Sequence, residues 1–224
     1  CGYDTAGAGK ILVNTPQGEP ELIIVEDTRE GWVESIACLI DSYFEEGSKP
    51  VQIDPSKVRP YGAEIKGFGG VASGPEPLVQ GFNGIKELLE ARNGELLTSS
   101  DIVSIMGIIG KIVVAGNVRR SALLALGDPN DKEYVTLKNW DNNPVGMGVR
   151  APDEMALASQ EDYDRYNDFS VSWNEKSAIA KKYANEVWSW KIGGYLWASN
   201  NSLYATSGMD YSPYVESIAQ NGEP

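Results

Sequence analysis

The segment that most constrains the fold is an isoleucine-rich run that leads through a short loop into a strand. Its apolar residues recur at the i, i+3, i+4 and i+7 spacing of an amphipathic helix, and they are Ile102, Ile105, Met106, Ile109, Ile112 and Val113. Asp101, after two serines, supplies N-terminal cap chemistry, and Gly116 lies where a helix stops. The strand-like run 122–126 follows. The stretch 116–122 therefore joins the most helix-like segment of the chain to a strand-like run.

Strand-like and helix-like segments alternate along the rest of the chain. The patterns predict strands at 10–14, 21–26, 50–53, 63–66 and 203–206. They predict helices at 30–45, around 78–92, after Pro129, at 177–190 and from Ser212-Pro213. Periodicity weakens from 142 to 174, so we expect an insertion over 142–190. The alternation predicts an α/β architecture.

Composition excludes several classes of function. The formal net charge is −13, from 32 acidic and 19 basic residues, which argues against a nucleic-acid-binding surface. No apolar run reaches membrane-spanning length, and no signal peptide is visible. The absence of histidine and the presence of only Cys1 and Cys38 leave no metal-ligand cluster and no disulfide framework. We therefore expect a cytoplasmic protein without a metal site, in which Cys38 is structural.

The loop after the isoleucine-rich helix carries two adjacent arginines, Arg119 and Arg120, in an otherwise acidic chain. Planar guanidinium groups donate paired hydrogen bonds to phosphate or carboxylate, which favours an anionic ligand. The alternative is a solvated loop whose arginines pair with nearby carboxylates.

Two glycine patterns resemble nucleotide-binding motifs. Gly7-Ala8-Gly9-Lys10 is not a P-loop, because Ile11 replaces the Ser or Thr that would hold magnesium. Gly67-x-Gly69-x-x-Ala72 formally fits a dinucleotide fingerprint, but two following prolines delay the helix and no ribose-binding acid follows at the required distance. Exposed backbone amides and the Ser73 hydroxyl would still suit an anion, and a flexible turn is the other interpretation.

Five motifs in series carry a resemblance to a known family. They are Gly2-Tyr3-Asp4-Thr5-x-Gly7-x-Gly9-Lys10; Val58-Arg59-Pro60-x-Gly62-Ala63-x-Ile65-Lys66-Gly67-Phe68-Gly69-Gly70-x-Ala72-Ser73-Gly74-Pro75; Gly110-Lys111-x-Val113-Val114-Ala115-Gly116-Asn117-Val118-Arg119-Arg120-Ser121-Ala122; Trp197-Ala198-Ser199-Asn200-Asn201-Ser202; and Asn221-Gly222-Glu223-Pro224. In this order they resemble the adenosylcobalamin-dependent (class II) ribonucleotide reductases, in particular the monomeric ribonucleoside-triphosphate reductases.

The resemblance implies that residues 1–224 are an internal fragment of a catalytic ten-stranded α/β barrel. Enzymes of this family convert ribonucleotides to deoxyribonucleotides with a cysteine thiyl radical that adenosylcobalamin initiates. The resemblance places the radical cysteine, its glutamate partner, the reducing cysteine pair and the cobalamin-binding parts outside the fragment. It therefore implies no catalytic residue here and an inactive fragment. For the full enzyme it implies a monomer reduced by a thioredoxin-like protein.

By the same resemblance, two loops control substrate specificity and hold or read a deoxynucleotide effector. The residues implied for the first loop are Lys66, Phe68, Gly69, Gly70, Ser73 and Gly74. The residues implied for the second are Gly116, Asn117, Val118, Arg119, Arg120 and Ser121. The substrate-side candidates are Asn200, Asn201 and Ser202, and the helices at 30–45 and 78–92 are candidates for an inserted segment that builds the effector pocket.

Two alternatives stay open at this point. One is a deoxynucleotide-binding regulatory relic of the same barrel without catalysis. The other is a dinucleotide-binding oxidoreductase domain, favoured only by the glycine fingerprint. The sequence does not distinguish a diphosphate from a triphosphate substrate.

Overall fold

The computed structural model describes residues 1–65, 70–115, 122–138 and 195–221. Its strands are β1 (Gly2–Asp4), β2 (Glu21–Ile24), β3 (Val51–Asp54), β4 (Leu123–Gly127) and β5 (Ser199–Leu203). Its helices are α1 (Arg29–Phe44), α2 (Glu76–Ala91), α3 (Ser99–Val114), α4 (Lys132–Thr136) and α5 (Val215–Asn221). The predicted helix at 177–190 and the predicted insertion at 142–190 lie outside the described residues.

The described strands form two parallel sheets. One has the order β1-β4-β5, and the other pairs β2 with β3. In the larger sheet, Tyr3, Ala125 and Asn201 share one row across the three strands. Parallel pairing with helices between the strands confirms the α/β prediction. The ten-stranded barrel stays a prediction, because these two sheets comprise five strands in all.

Helix α3 lies against one face of the larger sheet and begins with a capping box. The N-cap is Thr98, whose hydroxyl accepts from the Asp101 backbone N–H, while the Asp101 carboxylate accepts from the Thr98 N–H at 2.9 Å. The cap residue is therefore Thr98, and Asp101 is its partner. Asp101 is 5% exposed and also pairs with the Arg92 guanidinium at 2.8 Å. One carboxylate thus joins the end of α2 to the start of α3.

Small residues let α3 approach its neighbours closely. A Cβ placed on Gly81 of α2 would lie 2.2 Å from Ile112 of α3, and one on Gly110 would lie 2.7 Å from Leu123 of β4. The helices and the sheet therefore share one core, which includes Leu78, Phe82, Ile85, Leu89, Val103, Ile108, Ala125 and Tyr134. The apolar pattern of the second helix predicts that Leu78, Phe82, Ile85, Leu88 and Leu89 face inward; four of them are buried, and Leu88 is partly buried against the core.

Helix α1 departs from its predicted burial on one side. The apolar pattern predicts a buried face formed by Trp32, Val33, Ile36, Leu39, Ile40, Tyr43 and Phe44. Ile36, Leu39 and Tyr43 are buried, Trp32, Ile40 and Phe44 are half-buried, and Thr28 caps the helix through its hydroxyl. Val33, predicted to be buried, is 64% exposed and lies at the rim of a cavity. The apolar stripe of α1 is therefore wider than the core it covers.

Three predicted strands were wrong or too long. The strand predicted at 203–206 is displaced toward the N-terminus. The observed strand, β5, is Ser199–Leu203, and its polar residues pair with the central strand β4. The segments 10–14 and 63–66 contain only isolated antiparallel bridges, at Leu12 with Leu96 and at Glu64 with Val71. The glycine fingerprint at 67–72 therefore follows a turn-like segment, and not a strand of a βαβ unit.

Candidate functional site

A cavity of about 460 Å³ lies between α1, the end of α3 and the segments 58–65 and 71–74. We call it the α1–α3 cavity. Its apolar walls come from Trp32, Ile36, Ile40, Ile65, Ile109 and Ile112. Its charged lining residues are Asp27, Arg29 and Arg59. A mostly apolar cavity of this size with a few polar groups at one side is typical of sites that bind one small organic molecule.

Arg59 and Asp27 form an ion pair at the rim of this cavity. The Arg59 Nε donates to the Asp27 Oδ2 at 2.6 Å, and the two side chains are 39% and 32% exposed. The pair connects the residue before the N-cap of α1 to the Val58-Arg59-Pro60 segment. Arg29, also at the rim, pairs with the neighbouring Glu30 and is largely exposed. The sequence patterns predict no role for Arg59 or Asp27, although Arg59 lies within a motif of the family resemblance.

The described part of the predicted first loop forms one wall of the cavity. Ser73 and Gly74 line it, and the Ser73 hydroxyl donates to the Gly74 carbonyl at 3.2 Å. Gly74 has a φ of +72°, and a Cβ there would lie 2.9 Å from the Tyr61 backbone nitrogen, so only glycine fits. Gly70 accepts from the Ile65 N–H through its carbonyl at 3.1 Å, which closes the turn at its base. Lys66, Phe68 and Gly69 lie outside the described residues.

The predicted second loop starts at the same cavity. Its residues Gly116, Asn117, Val118, Arg119, Arg120 and Ser121 lie outside the described part of the chain. The last described residues before it, Val113 and Ala115, line the α1–α3 cavity. The first residue after it, Ala122, accepts from the Cys1 amino group at 2.8 Å, beside the start of β4. The two ends of this loop therefore lie at the cavity and at the larger sheet.

The three substrate-side candidates are divided between the two faces of β5. Asn201 is 2% exposed and lies in the row of Tyr3 and Ala125, on the face that α3 covers. Asn200 is exposed and Ser202 is half-buried, and the strand alternation places both on the opposite, open face. Only Asn200 and Ser202 are therefore accessible from that open face.

A second cavity, of about 770 Å³, lies where the parallel strands of the larger sheet end. Its polar lining includes Thr5, Lys10, Asp128, Asp131 and Asp210. These carboxylates accept hydrogen bonds from nearby backbone: Asp131 caps α4, and Asp210 accepts from the Ser212 N–H and hydroxyl, which lowers the pKa of Asp210. No group of three or more His, Cys, Asp or Glu in the described ranges is arranged to hold a metal ion.

The cysteines differ in their surroundings. Cys1 is exposed, whereas Cys38 packs against the core on α1. Burial, and then the carboxylates of Glu34, Asp41 and Glu21, raise the pKa of the Cys38 thiol. A raised pKa reduces the fraction of thiolate, which is the nucleophilic form. Among the described residues, no helix is both long enough and apolar enough to cross a membrane.

Comparison with known proteins identifies what the chain is similar to. Residues 13–89 match the sequence model of the insertion domain of B12-dependent ribonucleotide reductases. This range contains β2, α1, β3 and nearly all of α2, and so includes both helices that the resemblance named as candidates for an inserted segment.

Two relatives that align with nearly the whole chain are both described as adenosylcobalamin-dependent ribonucleoside-triphosphate reductases. The chain is 38% identical over 203 residues to a probable adenosylcobalamin-dependent ribonucleoside-triphosphate reductase of Dictyostelium discoideum, covering 91% of this chain and 21% of that protein. It is 34% identical over 225 residues to the adenosylcobalamin-dependent ribonucleoside-triphosphate reductase of Euglena gracilis, covering 100% of this chain and 24% of that one. A crystal structure of a B12-dependent (class II) ribonucleotide reductase superposes with a TM-score of 0.61 at 30% identity, covering 100% of this chain and 26% of the other. The chain thus spans about a fifth to a quarter of the length of these relatives, and the resemblance of the motifs is confirmed.

Proposed function

We propose that this chain, a segment similar to the class II ribonucleotide reductases over its whole length, carries the effector-binding and specificity-control part of an adenosylcobalamin-dependent ribonucleoside-triphosphate reductase. In the full-length protein, the reaction is the reduction of ribonucleoside triphosphates to deoxyribonucleoside triphosphates by thiyl-radical chemistry. The cofactor supplies the initiating radical and is bound by other parts of that protein. A thioredoxin-like reductant, a monomeric state and a cytoplasmic location belong to the same proposal.

The observation that supports this assignment is the position of the α1–α3 cavity. It lies between a helix of the matched insertion-domain region and the end of α3, where the second predicted loop begins. Its apolar walls suit a nucleobase and a deoxyribose, and the arginines at its rim suit phosphate. A ligand in this cavity would contact both Gly74 and Ala115, the described ends of the two control loops.

Arg59 is the side chain that we assign to the effector phosphates. Its Nε is bound to Asp27, and the guanidinium has further donors that the Asp27 contact does not use. A triphosphate carries more negative charge than one carboxylate, so it would compete well for this group. Ligand binding would then weaken the link between Asp27 and the 58–60 segment, on the same side as the first loop.

The test is equilibrium binding of each of the four deoxynucleoside triphosphates to the full-length protein. Loss of a charge-assisted contact should weaken the binding of the preferred effector about tenfold in the Arg59→Ala variant. Lys57→Ala is the matched control, because Lys57 is a basic residue two positions away that pairs with Glu26 and does not line the cavity. Its effector affinity should stay within about twofold of the wild type.

The second loop is tested through specificity. In the full-length enzyme, Arg119→Ala or Arg120→Ala should disturb the effector-dependent choice of base more than the turnover of an effector-independent substrate. Unchanged specificity with all four effectors would contradict the loop assignment. Deoxynucleotide binding without ribonucleotide turnover, with adenosylcobalamin and reductant present, would instead support the regulatory relic. Turnover without deoxynucleotide binding would contradict the assignment of the α1–α3 cavity to effector binding.

A further inference from the structure

Strand β5 is held from its helix-covered side by two side chains of the 132–138 segment. The Tyr134 hydroxyl lies 3.0 Å from both the Ala125 and the Ser202 carbonyl oxygens, to which it donates its proton, and it accepts from the Ser202 N–H at 3.2 Å. The Lys138 ammonium donates to the carbonyl of Ser199, the first residue of the strand. Tyr134 is 1% exposed and Lys138 is 3% exposed, so both contacts are shielded from water.

The Tyr134 hydroxyl links two neighbouring strands. It bridges the backbone of Ala125, in the middle of β4, to that of Ser202, near the carboxyl end of β5, and the Tyr204 N–H to Gly127 carbonyl bond of 2.9 Å continues the pairing beyond them. The ring rests on the backbone of β4, since a Cβ on Gly127 would lie 2.3 Å from it. The N-cap Asp131 fixes the helix that carries Tyr134 by accepting from the Glu133 and Tyr134 N–H groups. The hydroxyl therefore has little freedom to move without β5.

Tyr134 bonds to the backbone of Ser202, whose side chain lies on the opposite face of the sheet. Ser202 and Asn200 lie on the open face, whereas Asn201, between them, is buried beneath α3. Any shift of the Ser202 backbone moves the side chains of the open face by a similar amount. Polar groups that bind substrate lose affinity when they are displaced by about 1 Å.

We propose that Tyr134 is a positioning residue for the substrate side of β5, fixing Ser202 and Asn200 against a ribonucleotide through the strand backbone. The inference rests on the proposed function, because it takes the open face of β5 as the side that meets the substrate. Lys138 acts in the same way on the amino end of the strand. Neither side chain touches the substrate.

The test is steady-state kinetics of the full-length enzyme carrying Tyr134→Phe, at saturating effector. This variant keeps the ring and removes the hydroxyl, and we expect the KM for the ribonucleotide to rise about tenfold while kcat stays within about twofold. Tyr43→Phe is the matched control: Tyr43 is also 1% exposed, but its hydroxyl bonds to Glu90 between α1 and α2. Its KM should stay within about twofold of the wild type.

The outcomes separate positioning from stability. A purely structural role would lower the fraction of active enzyme, and so reduce the apparent kcat with an unchanged KM. A KM within twofold of the wild type in Tyr134→Phe would overturn the inference. If that variant does not fold, Lys138→Gln removes the contact at the amino end of β5. A rise in its KM would support the inference, and an unchanged KM would overturn it. Absence of ribonucleotide turnover in the wild type would instead refute the proposed function.

Discussion

At the scale of single residues, the charged lining of the α1–α3 cavity includes Arg59, which is bound to Asp27 across 32 positions of sequence. No local pattern in the sequence points to this pair, because each residue lies in a turn of ordinary composition. The glycine-rich loop beside it was predictable as an anion-binding or flexible turn, and the φ of +72° at Gly74 gives one reason for its glycines. Sequence reasoning therefore found the loop and missed the ion pair that faces it.

A residue-scale prediction concerns the two thiols. The carboxylates around Cys38 and its partial burial raise its pKa, so less thiolate is present at pH 8 than for an ordinary cysteine. Iodoacetamide should therefore alkylate Cys38 at least about tenfold more slowly than the exposed Cys1. The rates are measured on the 1–224 chain by mass spectrometry of the peptides that contain each cysteine. Equal rates at the two sites, with Cys1→Ser as the control for peptide assignment, would show that Cys38 is not shielded.

At the scale of secondary-structure elements, helices were predicted better than strands. The apolar periods of α1, α2 and α3 are local properties of the sequence, so their ends were placed within a few residues. Strand β5 was misplaced because its Ser199-Asn200-Asn201-Ser202 sequence has low strand propensity, and it is a strand only through pairing with β4. That pairing joins segments about 76 residues apart, as in Leu124 with Asn200, and no local window contains it.

An element-scale prediction concerns the junction of α2 and α3. Asp101 completes the capping box of α3 with Thr98 and pairs with Arg92, whose guanidinium also pairs with the exposed Glu95 at 3.2 Å. Asp101→Asn should lower the local free energy of unfolding of α3 by about 2 kcal/mol, because the buried Arg92 pairing and the cap both weaken. The measurement is hydrogen exchange of the α3 amides in the full-length protein.

Glu95→Gln is the matched control for this change. It removes a carboxylate from the same guanidinium, but the Glu95 side chain is 62% exposed. Its effect should be below about 0.5 kcal/mol, as for most exposed ion pairs. If the two variants lowered protection equally, the cap and the burial of Asp101 would have no special role.

At the scale of the whole molecule, the described residues leave one face of the larger sheet open. Leu124, on the central strand, is 41% exposed there, next to the open-face residue Asn200. Parallel sheets are normally covered on both faces, so we expect further structure to pack on this face. The motifs predict part of a barrel, and the chain covers 26% of the class II reductase structure that it resembles. The local patterns of the described residues predict neither the barrel nor what covers this face.

A whole-molecule prediction follows for Leu124→Lys. In the excised 1–224 chain, the change replaces an exposed apolar side chain and should raise the yield of soluble protein. If the full-length enzyme covers this face, as the barrel prediction implies, the same lysine would be buried, and we expect turnover of ribonucleotide to fall about tenfold. Soluble yield and turnover are measured in parallel on the two proteins. If soluble yield and turnover both rose, or both fell, this face of the sheet would have the same surroundings in the two proteins.

The described walls of the α1–α3 cavity come from residues 27–40, 58–65, 71–74 and 109–115. A site shared between subunits empties when the protein is diluted, because dissociation of the subunits removes part of its walls. A site that a single chain completes has no such dependence, and its occupancy follows the concentration of free ligand alone. If the α1–α3 cavity is the effector site that we propose and one chain completes it, the enzyme would respond to the cell's nucleotide pool in the same way whether it is scarce or abundant.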